Sequence, residues 1–258
     1  MTEKTARQIE NMKKQTFGVE VECNSITRQK AAKIAAEFFG TGHYEYTASR
    51  NGYMTWSAWD QQNREWKFQR DGSIHGPDDE RCEVVTPILR YEDMETFQQL
   101  LRTLRKAGAK SCPSRGCGVH IHIGLKGLDG RNHDAKTLRN LVNIMAAHET
   151  QIGRAIRIDE GRTGHYCKVV NHDFLECLNR QKPKTMQRLA DCWYEGNHAS
   201  YGRTQHYASP KPQQTDNEKY AMRCWMLRLG FIGDEFETAR EILLKNMGGN
   251  AAWRQAAC

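Results

Sequence analysis

No stretch of this 258-residue chain approaches the roughly 18–20 consecutive apolar residues of a membrane-spanning helix. The first residues, Met1 to Lys14, are polar and charged, with no apolar core of the kind a secretory signal carries. Lys and Arg are scattered and never form the continuous run of a nucleic-acid-binding arm. There is no internal repeat and no low-complexity segment. The sequence also lacks a Gly-x-x-x-x-Gly-Lys-Ser/Thr loop and a strand-borne Gly-x-Gly-x-x-Gly. These absences remove the transmembrane, P-loop and dinucleotide-fold classes. A cytoplasmic protein is expected, without a membrane partner and without nucleic acid as its principal one.

What is present is polar. Hydrophobic residues make up 38%, and the mean hydropathy is −0.79. A net charge of +7 admits an anionic ligand without selecting one. The nine cysteines read as reduced thiols, and their odd number forbids complete pairing within one chain.

The most informative stretch is Thr16-Phe17-Gly18-Val19-Glu20-Val21-Glu22-Cys23. It alternates strictly, so Phe17, Val19, Val21 and Cys23 share one strand face, and Gly18, Glu20 and Glu22 the other. Two carboxylates projecting in parallel suit a cation, or else a solvated acidic edge. Thr27 to Phe39 is Ala-rich at helical spacing and stops at Gly40, with Asn24 or Ser25 as its cap. Short aromatic strands are expected at His43–Tyr46, Tyr53–Trp59 and Arg64–Arg70, then Arg81–Thr86, which presents Glu83 beside Arg81 and Val85. Asp71-Gly72-Ser73 is a turn. Tyr91 to Ala107 has the acidic start, basic end and Gly108 stop of a helix, with Phe97, Leu100, Leu101 and Leu104 as its buried stripe.

In Gly116-Cys117-Gly118-Val119-His120-Ile121-His122-Ile123-Gly124, two imidazoles alternate with apolar residues. A long helix is expected from an Asp134 cap to about Ile158. Arg162 to Tyr207 reads as loop-rich, with a helix at Lys184–Tyr194. Residues 208–216 read as a linker. The tail from 217 reads as two helices broken at Gly230–Gly233.

Glu20, Glu22, Asp71, Glu83 and His120 or His122 therefore lie on or beside expected strands. Hard carboxylate oxygens with one or two imidazoles suit Mg2+ or Mn2+, the ions that handle ATP phosphates. Cys112 and Cys117 with His120 and His122 form a competing zinc set of non-standard spacing. Arg115, ahead of the glycines, is a candidate phosphate contact. Arg162, His165 and Arg203 are candidate ligand contacts in the loop-rich part.

The ordered set FGVEVE, DGS, EVVTP and CGVHIHIG resembles the amidoligase family, within the superfamily of glutamine synthetase and gamma-glutamylcysteine ligase. Residues 215–240 are also similar to the tail of amidoligases from bacteria and their mobile elements, phage included. The resemblance implies an α+β fold: a curved antiparallel sheet with helices on its convex side, followed by a helical tail. It implies a core over 1–207, a linker at 208–216 and a tail at 217–258. It also implies an ATP- and Mg2+-dependent ligase joining an amino-acid or peptide carboxylate to an amine through an acyl phosphate, alone or with a second copy or partner protein.

By motif position, Glu20, Glu22, Glu83 and His120 inherit the metal-ligand role. Glu20, Glu22, His122 and Arg203 fall to cofactor binding, and Glu83, Asp71 and Arg115 to catalysis. The superfamily's late Gly-Thr-Val-Glu-Phe-Arg strand has no counterpart: Tyr201–Tyr207 looks like the approach to it, and the chain then enters the linker. That departure admits an alternative, a weakened or inactive relative that binds nucleotide or peptide or scaffolds a partner.

Overall fold

The structure is a computed structural model. It describes residues 3–47, 53–124, 134–158, 170, 172–185, 187–189 and 215–253. The chain divides into two compact units, one of residues 10–128 and one of residues 1–9 with 129–258. The helix α1 (Glu3–Lys13) leads in.

The first unit is a six-stranded, open, wholly antiparallel sheet with helices on one face. Its strands are β1 (Phe17–Cys23), β2 (Tyr44–Tyr46), β3 (Trp56–Trp59), β4 (Glu65–Gln69), β5 (Cys82–Val85) and β6 (Val119–Ile123), in the order β2-β3-β4-β5-β1-β6. The expected α+β class and antiparallel sheet are present. The chain's first strand thus lies one place in from the edge of the sheet, between β5 and the edge strand β6.

Alternation gives the sheet its two faces. Val19, Cys23, Trp66, Phe68, Cys82 and Val84 are buried on one side. Against them lie α2 (Arg28–Phe39) and α3 (Met94–Lys106). Helix α2 approaches closely because Ala31, Ala32, Ala35 and Ala36 have no accessible surface, small residues recurring on one helical face. Phe97, Leu100 and Leu104 of α3 close the core as expected. Trp66 is buried with its indole N–H satisfied: it donates to Asp60 Oδ2 at 3.0 Å. Arg64 holds Asp60 and Asp93 in turn, and the Asp93 hydrogen bond raises the Arg64 pKa.

Several boundaries differ from expectation for local reasons. The cap of α2 is Thr27, whose side chain accepts from Lys30 N, rather than Asn24 or Ser25. Asn24 is instead committed to His75 O and Arg115. Tyr91–Asp93 forms a 3-10 turn, so α3 starts at Met94. The strand expected from Tyr53 begins only at Trp56, after Met54 at φ +46°.

The second unit is helical among its described residues: α4 (Ala135–Ala155), α5 (His172–Gln181), α6 (Glu218–Leu229) and α7 (Glu237–Leu244). Asp134 caps α4 as expected, accepting from Thr137 N at 2.7 Å. The helix stops at Ala155, short of Ile158, and Arg157 takes φ +56°. Helix α5 corrects the loop-like reading of its segment. Val142, Cys177 and Leu178 form one small core, and Asn143 and Asn179 exchange side-chain amide hydrogen bonds at 2.9 Å beside it. The tail breaks at Gly230–Gly233 as expected, and Met222, Met226 and Met247 pack with Ala155. The helix expected at Lys184–Tyr194 falls largely outside the described residues, as does the linker up to 214.

Candidate metal centre

The polar face of the sheet is set by register. Glu20 pairs with Val85 and His120, Glu22 with Glu83, Gly18 with His122, and Gln69 with Glu83. Thr86 N donates to Val19 O, and Glu22 N donates to Gly118 O. Odd residues of β1 therefore bond to β5 and even residues to β6. Glu22 and Glu83 are a non-hydrogen-bonded pair, the arrangement in which opposite side chains come closest. Two acids are thus pressed together in a position that usually disfavours like charges.

Two groups of potential ligand atoms result, each with its members within 4.8 Å of one another: Glu20, Glu83 and His120, and Glu22, Asp71 and Glu83. Glu83 belongs to both, so the two groups adjoin and share one carboxylate. Ligand atoms on opposite sides of a Mg2+ ion stand about 4.2 Å apart, so small side-chain adjustments would suffice.

Each acid is held in place. Glu22 is buried and accepts from Gly118 N at 2.6 Å, with Ser73 Oγ 3.5 Å from its other oxygen. Glu83 is buried and accepts from Gln69 Nε2 at 2.8 Å. Asp71 accepts from Ser73 N at 2.6 Å and from the Ser73 hydroxyl. Glu20 is more open, with Nδ1 of His120 and Nε2 of His122 each 3.2 Å from one of its oxygens. Burial pushes the Glu83 carboxyl above its ordinary pKa; Gln69 opposes this, while Glu20, Asp71 and Glu22 add to it. Excess negative charge is therefore built into the site, and a divalent cation is the group that would relieve it.

The family comparison bears on the same segment. Residues 13–228 match the model of the family described as "Putative amidoligase enzyme". The chain belongs to the amidoligase family. No curated protein and no solved structure matches significantly.

In this amidoligase-family chain the structure brings together Glu20, Glu22, Asp71, Glu83 and His120, with His122 reaching the same face through Glu20. Arg115 is placed differently: its guanidinium donates to Asn24 Oδ1 at 3.0 Å and Ser25 Oγ at 3.5 Å, and its carbonyl accepts from His75 N. It ties the Gly-rich approach to the end of β1. Arg162, His165, Arg203 and Tyr201–Tyr207 lie outside the described residues. Cys112 and Cys117 join no group of three or more metal-ligating side chains among the described residues; Cys117 is buried with Sγ 3.6 Å from Arg115 O.

Sequence reading overlooked Gln69 and Ser73. Gln69 shares the site face with Glu65 and Lys67 by simple alternation, but that it meets Glu83 depends on the β4–β5 register. Ser73 stands two residues after Asp71, the spacing of an Asx turn, and this was the available signal.

Gly116 supports the turn from below. It has φ +68°, and an added Cβ would lie 2.3 Å from Ser73 O. Only glycine allows the β6 approach to pass this close to the segment carrying Asp71 and Ser73.

Proposed function

We propose that the polar sheet face binds two divalent cations, Mg2+ or Mn2+, and through them the phosphates of ATP, in an ATP-dependent carboxylate–amine ligase. The observation that carries this reading is the convergence of Glu20, Glu22, Asp71, Glu83 and His120 around a shared, buried Glu83. Family membership over residues 13–228 supports the ligase class. The glutamine-synthetase-like form of the sheet belongs to the same proposal, as do the 1–207 core and the 217–258 tail.

Glu20 and His120 would hold one cation, Glu22 and Asp71 the other, and Glu83 both. Held by these residues, the cations would supply neutralising charge for the phosphates and a template for aligning the γ-phosphoryl group with a substrate carboxylate. A carboxylate oxygen attacks phosphorus, ADP leaves, and the acyl phosphate is then attacked at carbon by an amine, releasing inorganic phosphate. His120 and His122 are half-exposed beside Glu20 and orient that carboxylate.

The test is isothermal titration of the full chain with Mg2+ and a non-hydrolysable ATP analogue, followed by ADP release with pooled amino acids. Binding that disappears in the Glu20→Ala/Glu22→Ala double variant supports the reading; its persistence in that variant refutes it. The sequence's lack of a Glu-x-Arg strand motivates a second reading, a binding protein with weak or no turnover. Nucleotide binding without ADP release from any pool would favour it.

A further inference from the structure

We infer that a slot beside the carboxylate cluster receives an apolar side chain of the carboxylate substrate, with Gly18 as its floor and the residue that sets its size. The inference rests on the ligase reading above and names its substrate class.

The slot originates in the backbone. Val19 pairs with Thr86, and Phe17 exchanges both hydrogen bonds with Leu89. Between these pairs β1 has one residue, Gly18, while the opposing strand has two, Pro87 and Ile88. That is a β-bulge, a device that bends a strand and re-aims side chains, often next to active sites. Gly18 contributes no side chain on the site face. A Cβ there would meet nothing nearer than Thr86 Oγ1 at 3.9 Å and His122 Cβ at 4.0 Å.

The result is a cavity of about 320 Å³, lined by Gly18, Val85, Pro87, Ile88, His122 and Ile123 among others. Glu20, one member of the carboxylate cluster, also lines it, so the cavity reaches the edge of that cluster. Ile88 is 73% exposed, an apolar side chain held out at the slot's mouth.

The polar groups of the walls are largely committed. Thr86 Oγ1 accepts from Val19 N, Gly124 N donates to Thr16 O, and Gly124 O accepts from Gln15 Nε2. Phe17 N and O are both paired with Leu89. The titratable side chains in the lining are Glu20 and His122, so away from them shape and apolar contact are chiefly what the slot can recognise. An aliphatic or aromatic substituent next to a carboxylate fits, with the carboxylate at the Glu20 end, where the proposed cations would receive it.

The test uses the full chain and defined probes. N-acetyl-leucine, N-acetylphenylalanine and N-acetylglycine are titrated in Mn2+ by ligand-observed NMR; N-acetyl-leucinamide and N-acetylglycinamide are titrated in EDTA. The leucine and phenylalanine probes are expected to bind roughly tenfold more tightly than the glycine probes. Gly18→Val should abolish that preference while retaining the wild-type melting profile, since Val suits a strand and its Cβ meets only ordinary contacts. Ile88→Ser, at an exposed position, should weaken the preference several-fold and guards against a folding artefact.

Equal binding of leucine and glycine probes, or a preference that survives Gly18→Val, overturns the slot. Failure of Mn2+ to bind wild type, with the leucinamide preference intact, overturns the ligase reading and the assignment of the slot to its substrate.

Discussion

Replacing Glu83 by Gln separates the charge of the shared carboxylate from its shape. The amide is isosteric, and its oxygen can still accept from Gln69 Nε2, now 2.8 Å from Glu83 Oε2. What disappears is one negative charge among Glu20, Glu22 and Asp71. At the 4.8 Å limit of each group, two carboxylates repel by roughly 3.5 kcal/mol at an effective dielectric of about 20. Three such pairs involve Glu83, about 10 kcal/mol before proton uptake, counter-ions and solvent reduce it. Single substitutions commonly move stability by 0.5–3 kcal/mol. Glu83→Gln is therefore expected to stabilise the chain by about 1–2 kcal/mol in EDTA near neutral pH, against the usual sign for a buried polar substitution.

With Mn2+ the order reverses. A ligand at 100 times its Kd stabilises by about 2.7 kcal/mol, which corresponds to roughly 5–10 °C in melting temperature for a chain of this length. Wild type should show that rise and Glu83→Gln should lose most of it.

The pH dependence carries its own sign. The Glu83 pKa is raised in the folded protein, so between the unfolded and folded values the native state binds more protons. Without metal, Glu83 makes wild type more stable as pH falls through that window, and the Gln variant lacks this contribution. Melting curves in EDTA and Mn2+ across pH 5–8 read all three effects. A variant that is less stable in EDTA yet keeps the full Mn2+ shift would refute the reasoning.

Other perturbations follow from the same structure. Gly116→Ala should cost about 2–4 kcal/mol and weaken Mn2+ binding, because its Cβ would meet Ser73 O at 2.3 Å in a left-handed conformation; denaturant melts and Mn2+ titration check both. Arg28→Met should cost about 3 kcal/mol in urea melts, since the buried guanidinium satisfies the carbonyls of Met54, Asp78 and Arg81. Leu100→Ala, at a position with no accessible surface, should cost about 2–5 kcal/mol without changing Mn2+ affinity per folded molecule. His120→Ala should reduce Mn2+ affinity about 10–100-fold, measured by competition with a chromophoric chelator.

Much of the sheet unit was legible because its signals are local. Alternation in β1 and β6 gave the right faces for Glu20, Glu22, His120 and His122, and the stripe of α3 gave its core side. Register was not legible: nothing within β4 or β5 alone says that Gln69 meets Glu83, or that Glu83 stands opposite Glu22. The bulge at Pro87–Ile88 was hidden for the same reason, since it exists only as a mismatch between two strands. Arg115 shows the converse limit. A cation just before a Gly-Cys-Gly run resembles a phosphate contact, and nothing local says that its Nη1 is held by Asn24 and Ser25, some 90 residues away in sequence. Helix α5 was overlooked because His, Asn and Cys dilute its apolar face within a polar neighbourhood.

The most direct test is a count of bound Mn2+ by electron paramagnetic resonance, following loss of the free-ion signal as the full chain is titrated. Two ions per chain are expected, with Glu83→Gln disturbing both sites and Glu20→Gln and Glu22→Gln each weakening one more than the other. Mn2+ that remains free at millimolar concentration, or binding indifferent to all three substitutions, would contradict the assignment of the polar sheet face as a cation site.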